Sequence, residues 1–195
     1  MPDLGKPLKD NRKTRAEDSR AKLLAGEAEI AAARQAVQEV GISTADINKR
    51  GGLTVWQRIE YLVDPGTWCP LHSLYNPADN PEGTTNVVDG LGKVAGRWAV
   101  VIGFDNKWLA GAWVPGQFEN ILRVTNLSKR LNIPLLWLVN CSGVQLPEQE
   151  KFYADRRGGG TCFYRHAELE QMGIPVLAGI YGTNPAGGGY QGISP

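Results

Sequence analysis

Two features of the sequence predict an α/β fold with ligand chemistry at the carboxyl ends of its strands. The first is a pair of continuous apolar runs of strand length, Ile133–Val139 (IPLLWLV) and Ile174–Ile180 (IPVLAGI), which suit burial on both faces of a sheet. The second is their setting. Each run follows a segment of helical period and empties into a glycine-containing loop, within the order β-β-β-α-β-loop-α-β-loop.

Residues 1–13 are polar and punctuated by Pro2, Gly5 and Pro7, which predicts an extended arm. From Thr14 to Val40 the apolar residues Leu23, Leu24, Ile30, Ala33, Val37 and Val40 recur near helical spacing. Gly26 interrupts this amphipathic helix and Gly41 ends it, and its expected role is packing or subunit contact. Arm and helix form a first region, residues 1–50, and residues 51–195 form the body. A second helix is predicted over Thr54–Val63, capped by Thr54, with Trp56, Ile59, Leu62 and Val63 inward and Pro65–Gly66 as its stop. Asn76–Gly83 reads as loop. Val87–Val94 and Arg97–Phe104 form a hairpin through Ala95–Gly96, and Lys107–Val114 is expected as a third short strand. Gln117–Leu131 is helical through Ile121, Leu122, Val124 and Leu127, with Lys129 and Arg130 placed favourably for the dipole. Asn140–Glu148 is loop and His166–Met172 is helix. The ending AGGGYQGISP should open a helix, yet none is expected before Pro195. A buried strand with nothing packed beyond it predicts a fragment of a longer protein or a truncated product.

Composition excludes several classes. A net charge of +1 supplies no field for nucleic acid or an anionic membrane. Cys69, Cys141 and Cys162 form no CxxC pair, which argues against a disulfide framework or a zinc site and fits a reducing compartment. The charged start (Lys6, Lys9, Asp10, Arg12, Lys13, Arg15) predicts no secretory leader. No apolar run is long enough to span a bilayer.

Chemistry is expected in two loops. Asn140-Cys141-Ser142-Gly143-Val144-Gln145 follows the first buried strand, and Asn184-Pro185-Ala186-Gly187-Gly188-Gly189-Tyr190 follows the second. Loops rich in backbone donors at adjacent strand ends can aim N–H groups at one oxygen that gains negative charge. A tight strand-to-helix turn explains Gly187–Gly189 more simply on composition alone, and no Gly-Lys-Ser/Thr follows to make a phosphate loop. Arg156 and Arg157, beside Gly158–Gly160, suit a phosphate or carboxylate, or belong to a solvated loop. Lys107 lies near a short strand and reads as a ligand contact or a surface residue. His72 and His166 are isolated, which speaks against a triad or a metal site. Cys141 is a nucleophile or, more simply, a small buried residue at a strand end. Glu148, Glu150 and Asp155 are acids or bases by location only.

The hairpin VVDGLGKVAGRWAVVIGFDNKWLAGAW, the loop NCSGVQ, the run RRGGGT and the ending GIPVLAGIYGTNPAGGGYQGISP together resemble the carboxyltransferase subunits of biotin-dependent enzymes. The forms NCSGV, RRGGG and GTNPAGGGY are similar to the glutaconyl-CoA decarboxylase alpha branch. The propionyl-CoA carboxylase branch instead carries Ser-Gly-Gly-Ala-Arg in the first loop. The resemblance covers most of the chain, most clearly from Val40 onward. It implies a crotonase-like spiral of β-β-α units, of which this chain is the incomplete N-terminal carboxyltransferase domain with an N-terminal helical extension.

By the same resemblance, the carboxyl group of glutaconyl-CoA passes to biotin on a separate carrier subunit, giving crotonyl-CoA and carboxybiotin. The backbone N–H groups of Val144 and Gly188 form the oxyanion hole, Gly143 and Gly187 shape its loops, and Gly189 allows the turn into a helix. Ser142, Tyr190, Lys107, Arg156 and Arg157 contact the acyl-CoA. No metal and no nucleic acid are implied. A homo-oligomer is implied, together with a membrane decarboxylase subunit that exports sodium, so the chain itself is cytoplasmic and peripheral to the membrane. Alternatives are a propionyl- or methylcrotonyl-type carboxylase subunit, a truncated CoA- or partner-binding module without catalysis, and a crotonase-type hydrolase, the last weakened by the lack of an activating base.

Overall fold

A computed structural model of the chain describes residues 12–153 and 156–193. The chain divides into two compact units, Met1–Ala36 and Val37–Pro195. Helix α1, Arg12–Glu39, supplies the described part of the first. It begins inside the segment expected as an extended arm, whose residues 1–11 lie outside the described residues. The apolar residues Leu23, Leu24 and Ile30 are exposed along it.

The second unit opens with α2 (Thr44–Lys49) and α3 (Val55–Leu62). Thr54 and Gln57 close a reciprocal capping box on α3, which fixes its start where the sequence predicts it. Five strands follow: β1 (Cys69–Leu71), β2 (Val87–Val94), β3 (Arg97–Phe104), β4 (Leu135–Val139) and β5 (Val176–Ile180). They lie in sequence order within one sheet. β1, β2 and β3 pair antiparallel, whereas β3, β4 and β5 pair parallel. The β2–β3 turn places Ala95 at φ 49° and Gly96 at φ 79°, the left-handed pair that a two-residue hairpin needs. The Asp64 carboxylate accepts both of their N–H groups, at 3.2 and 2.7 Å.

Helices α4 (Gln117–Leu131) and α6 (Gly160–Gln171) provide the parallel crossovers, and short α5 (Glu150–Tyr153) lies between them in sequence. Successive side chains of β3 feed two cores, as strand periodicity requires. Val100, Ile102 and Phe104 pack with Ile121, Val124, Leu135, Trp137 and Leu169. Val101 packs with Val55, Ile59, Val63, Val88 and Leu138 beside α3.

Four expectations are corrected. β5, expected to be buried on both faces, is the edge strand of the sheet, with Leu177 and Ile180 exposed. Lys107–Val114 is not a strand. Leu109, Ala110 and Gly111 all have positive φ (49°, 51° and 77°), and the Gly111 and Ala112 N–H groups bond to the carbonyls three residues back, so the chain makes a left-handed turn with 3₁₀-type bonds there, and only Trp113 forms an isolated parallel bridge, to Val144. Helix α6 starts at Gly160 rather than at His166, because Cys162, Arg165, His166 and Leu169 form one continuous buried face. A helix does follow the last strand: α7, Gly187–Ile193. Its four glycines disfavour it locally by about 1 kcal/mol each. Packing outweighs that preference: Gly188 and Gln191 are buried, and a Cβ on Gly192 would lie 2.3 Å from Ile180 Cδ1.

Candidate active site at the ends of β4 and β5

Strands β4 and β5 are paired in register from Leu135↔Val176 to Val139↔Ile180, so they end together. The ladder runs one bond further, from the Tyr181 N–H to the Val139 carbonyl at 2.8 Å. Their two loops therefore leave the sheet side by side, as the apolar runs and their glycine loops predict. One side chain ties them. The Asn184 Oδ1 accepts the Cys141 N–H at 2.7 Å, while its Nδ2 donates to the Tyr181 carbonyl.

In the first loop Gly143 stands at φ +104°, and a Cβ there would lie 3.6 Å from Pro185 Cγ of the second loop. Trp113 donates its N–H to the Gly143 carbonyl at 2.8 Å and accepts the Gln145 N–H at 3.0 Å. In such a parallel bridge the residue between the two bonded neighbours turns its own N–H away from the partner strand. That residue is Val144, and among the described residues no hydrogen bond uses its N–H.

The second loop packs against the first through bare backbone. A Cβ on Gly188 would fall 3.0 Å from Cys141 Cβ and 3.1 Å from its Sγ. One on Gly187 would meet the Trp113 ring at 2.3 Å, and one on Gly189 the Asn184 carbonyl oxygen at 3.1 Å. The Gly188 N–H, in the first turn of α7, donates to the Pro185 carbonyl at 3.0 Å. At helix termini such a donor is often shared between two acceptors.

Cys141 is 1% exposed. Burial pushes its thiol up to about 11, opposed by backbone N–H groups of Gly143 and Trp113. A thiol so reluctant to ionise is a packing residue rather than a nucleophile. Ser142 donates its hydroxyl to the Leu109 carbonyl at 2.7 Å, anchoring the first loop to the 3₁₀ turn. Beside that turn lies a cavity of about 620 Å³ whose lining includes Trp108, Leu109, Pro115, Gln145, Asn80 and Lys151. Its size is that of a small-molecule site.

The remaining expected contacts are placed elsewhere. Lys107 is buried and donates to the Gln38 carbonyl. Arg157 is paired with Glu119 at 2.8 Å in an exposed ion pair. Arg156 is exposed, and its carbonyl accepts the Thr161 hydroxyl at 2.6 Å. Tyr190, on α7, is exposed and meets the Phe163 ring edge-on at 5.6 Å. Glu148 pairs with Lys151, Glu150 begins α5, and Asp155 lies outside the described residues. His166 is buried against Trp137, and burial lowers it to about 4, so it is neutral near pH 7. Among the described residues no group of three or more His, Cys, Asp or Glu residues could hold a metal.

Sequence reasoning missed Asn184 as a tie, because its two partners are separated from it by different distances along the chain and only the parallel ladder brings them together. It also missed the His72–Asp89 contact (2.9 Å), made across the β1–β2 pairing. Burial raises the Asp89 carboxyl and His72 opposes the rise.

Close-packed glycine loops at the joined ends of two parallel strands define the candidate site of an α/β protein. The chain belongs to the carboxyl transferase domain family, whose pattern matches residues 46–195. It is 55% identical over 195 residues to the glutaconyl-CoA decarboxylase subunit alpha of Acidaminococcus fermentans, covering 100% of this chain and 32% of that one. It is 31% identical over 145 residues to a biotin-dependent 3-methylcrotonyl-coenzyme A carboxylase beta1 subunit of Mycobacterium tuberculosis, covering 72% of this chain and 27% of that one. In fold it is similar to the beta subunit of P. aeruginosa geranyl-CoA carboxylase, with TM-score 0.75 and 24% identity over 98% of this chain and 36% of that one. A transcarboxylase 12S structure gives TM-score 0.73 at 18% identity, over 98% of this chain and 36% of that one. The fold is accordingly the crotonase-like fold of carboxyltransferases. The chain spans about a third of the length of these relatives. Among the described residues no helix is long and apolar enough to cross a membrane.

Proposed function

We propose that the protein containing this chain moves the carboxyl group of glutaconyl-CoA to biotin, and that this chain supplies the thioester side of the site. The reading rests on one structural observation, the Val144 N–H turned away from its bridge partner at the seam where Gly188 packs on Cys141. Identity of 55% along the whole chain to a glutaconyl-CoA decarboxylase subunit, against 31% over 145 residues to a methylcrotonyl-type subunit, favours the dicarboxylic substrate.

When the bond to the distal carboxyl breaks, its electron pair spreads through the conjugated chain as a dienolate. Negative charge reaches the thioester oxygen, and a proton taken up at the terminal carbon completes crotonyl-CoA. The Val144 N–H is the principal donor to that oxygen and the Gly188 N–H a second, shared one. A donor of this kind is worth roughly 3–4 kcal/mol of barrier. The step needs charge stabilisation rather than a side-chain base. Tyr190, Ser142, Arg156 and Arg157 are assigned to the rim, where the coenzyme A portion passes, and Lys107 to the support of the turn beside it.

Biotin is the carboxyl acceptor in this reading. It is carried on a separate subunit and met by a neighbouring chain rather than by these loops, whose donors fit a thioester oxygen. The reading includes a homo-oligomer, no metal, and a membrane decarboxylase subunit coupled to sodium export that holds the protein at the cytoplasmic face.

The test is carboxyl transfer by the intact protein from glutaconyl-CoA to free biotin, followed as crotonyl-CoA, with propionyl-CoA carboxylation run in parallel. Biotin-dependent crotonyl-CoA formation is expected. Activity only on a saturated acyl-CoA would move the protein to the carboxylase branch. Binding of CoA esters without turnover of either substrate would leave it a binding module.

A further inference from the structure

We infer that Asn184 is the positioning residue that sets the spacing between the two oxyanion donors, an inference that rests on the reading above. The geometry is specific. Val144 sits on the loop that begins at Cys141, and Gly188 on the loop that contains Asn184. The only side-chain bonds from the second loop to β4's exit are those of this amide: its Oδ1 takes the Cys141 N–H at 2.7 Å, among the described residues. Its Nδ2 reaches back to the Tyr181 carbonyl at the end of β5. One planar group thus holds three backbone points, the start of the first loop, the end of the second strand and the middle of the second loop. Asn184 is 8% exposed, so these bonds are made away from bulk water, where losing either leaves a backbone group unsatisfied.

The residue type follows from the site. The position needs one acceptor and one donor on a short side chain, and its φ of 40° lies in the left-handed region that asparagine tolerates better than most residues. Aspartate would keep the acceptor for Cys141 but set a negative oxygen against the Tyr181 carbonyl. Only its protonated form restores a donor. Alanine would lose both bonds.

The loops also pack closely at Gly188, whose backbone lies against the Cys141 side chain. Removing the amide therefore loosens the seam without removing the donors. Donors that sit off their mark weaken binding of the developing charge more than binding of the ground state, so the loss falls on kcat.

The experiment compares wild type, Asn184→Ala and Asn184→Asp in the intact protein, with thermal melting as the check on folding. In Asn184→Ala, kcat for glutaconyl-CoA is expected to fall about 10- to 100-fold with KM within about threefold, the size of effect that small misplacement produces. In Asn184→Asp, kcat relative to wild type should recover as the pH is lowered and the carboxyl takes up its proton, a recovery that a purely structural role would not produce in kcat alone. A second readout needs no turnover. Cys141 is 1% exposed and should resist a thiol reagent in the folded wild type, then become reactive in Asn184→Ala, identified by peptide mapping against exposed Cys69. Wild type that fails on glutaconyl-CoA while Cys141 is unmasked by Asn184→Ala would overturn the substrate reading and keep the clamp. A folded Asn184→Ala protein with unchanged kcat and a protected Cys141 would overturn the inference.

Discussion

The two glycine triplets of the chain, Gly158–Gly160 and Gly187–Gly189, are alike as strings and differ in surroundings. The second is pressed into the structure: a Cβ would strike the Trp113 ring at Gly187 and the Cys141 side chain at Gly188. The first is looser. Gly159 has the Phe118 ring 3.3 Å from a Cβ position, and Gly160 has nothing within 4 Å. The difference comes from what precedes each. Gly187–Gly189 lies past the end of parallel strand β5, whose neighbour β4 ends beside it, so a second loop is already there to be met. Gly158–Gly160 comes after short α5 and opens α6, with the exposed Arg157–Glu119 pair at its edge. Where strand ends converge a glycine run marks close backbone packing, and elsewhere it marks a turn.

The contrast can be broken most severely at the first loop. Val144→Pro removes the N–H that the bridge turns away from Trp113. It should lower kcat about 100- to 1,000-fold, the cost of one such donor, with KM and melting temperature little changed. Second in size is the acid behaviour of α6. His166 falls from its ordinary 6.5 to about 4 because burial disfavours its charged form. The unfolded chain therefore binds a proton that the folded chain refuses. Stability present above pH 6.5 is lost as pH falls toward 4, by ~3 kcal/mol. Urea titrations across that range should show the loss in wild type and a flatter profile in His166→Gln. Third is Gly188→Ala. The added methyl meets Cys141 at 3.0 Å, and over-packing should cost about 1–3 kcal/mol in denaturant titration along with a fall in kcat. Smallest is Gly160→Ala, where the methyl meets open space in a helix. It should leave kcat unchanged and stabilise by about 0.4–1 kcal/mol. Equal losses for Gly188→Ala and Gly160→Ala would remove the distinction between the triplets.

Much of this was legible in advance. The capping residues of α3, the β2–β3 hairpin and the buried strand β4 all carry local signals that agree with their tertiary roles, and the loops that follow β4 and β5 are those that meet; β5 has the apolar run of a buried strand yet lies at the sheet edge with Leu177 and Ile180 exposed. What was not legible depended on distant partners. The stretch around Leu109 has the composition of a strand, but Gly111 must pass the Asn140 carbonyl, within 1.9 Å of where a Cβ would stand, and the backbone turns to do so. Helix α7 contradicts its own glycines because Ile180 and Cys141 support it. β1 contains Pro70 and spans only Cys69–Leu71, too short for a periodic signal. Among the expected contacts, Arg157 and Lys107 have partners, Glu119 and the Gln38 carbonyl, that no spacing rule connects to them.

The central claim is that the Val144 N–H is aimed at the thioester oxygen. The most direct measurement is the infrared stretch of that carbonyl, isotopically labelled, in crotonyl-CoA bound to the intact protein and to its Val144→Pro variant. A hydrogen bond to the oxygen weakens the C=O bond. The account predicts a shift to lower frequency on binding wild type, and loss of most of that shift in the variant at equal occupancy. The same frequency in both proteins would contradict it and remove Val144 from the site.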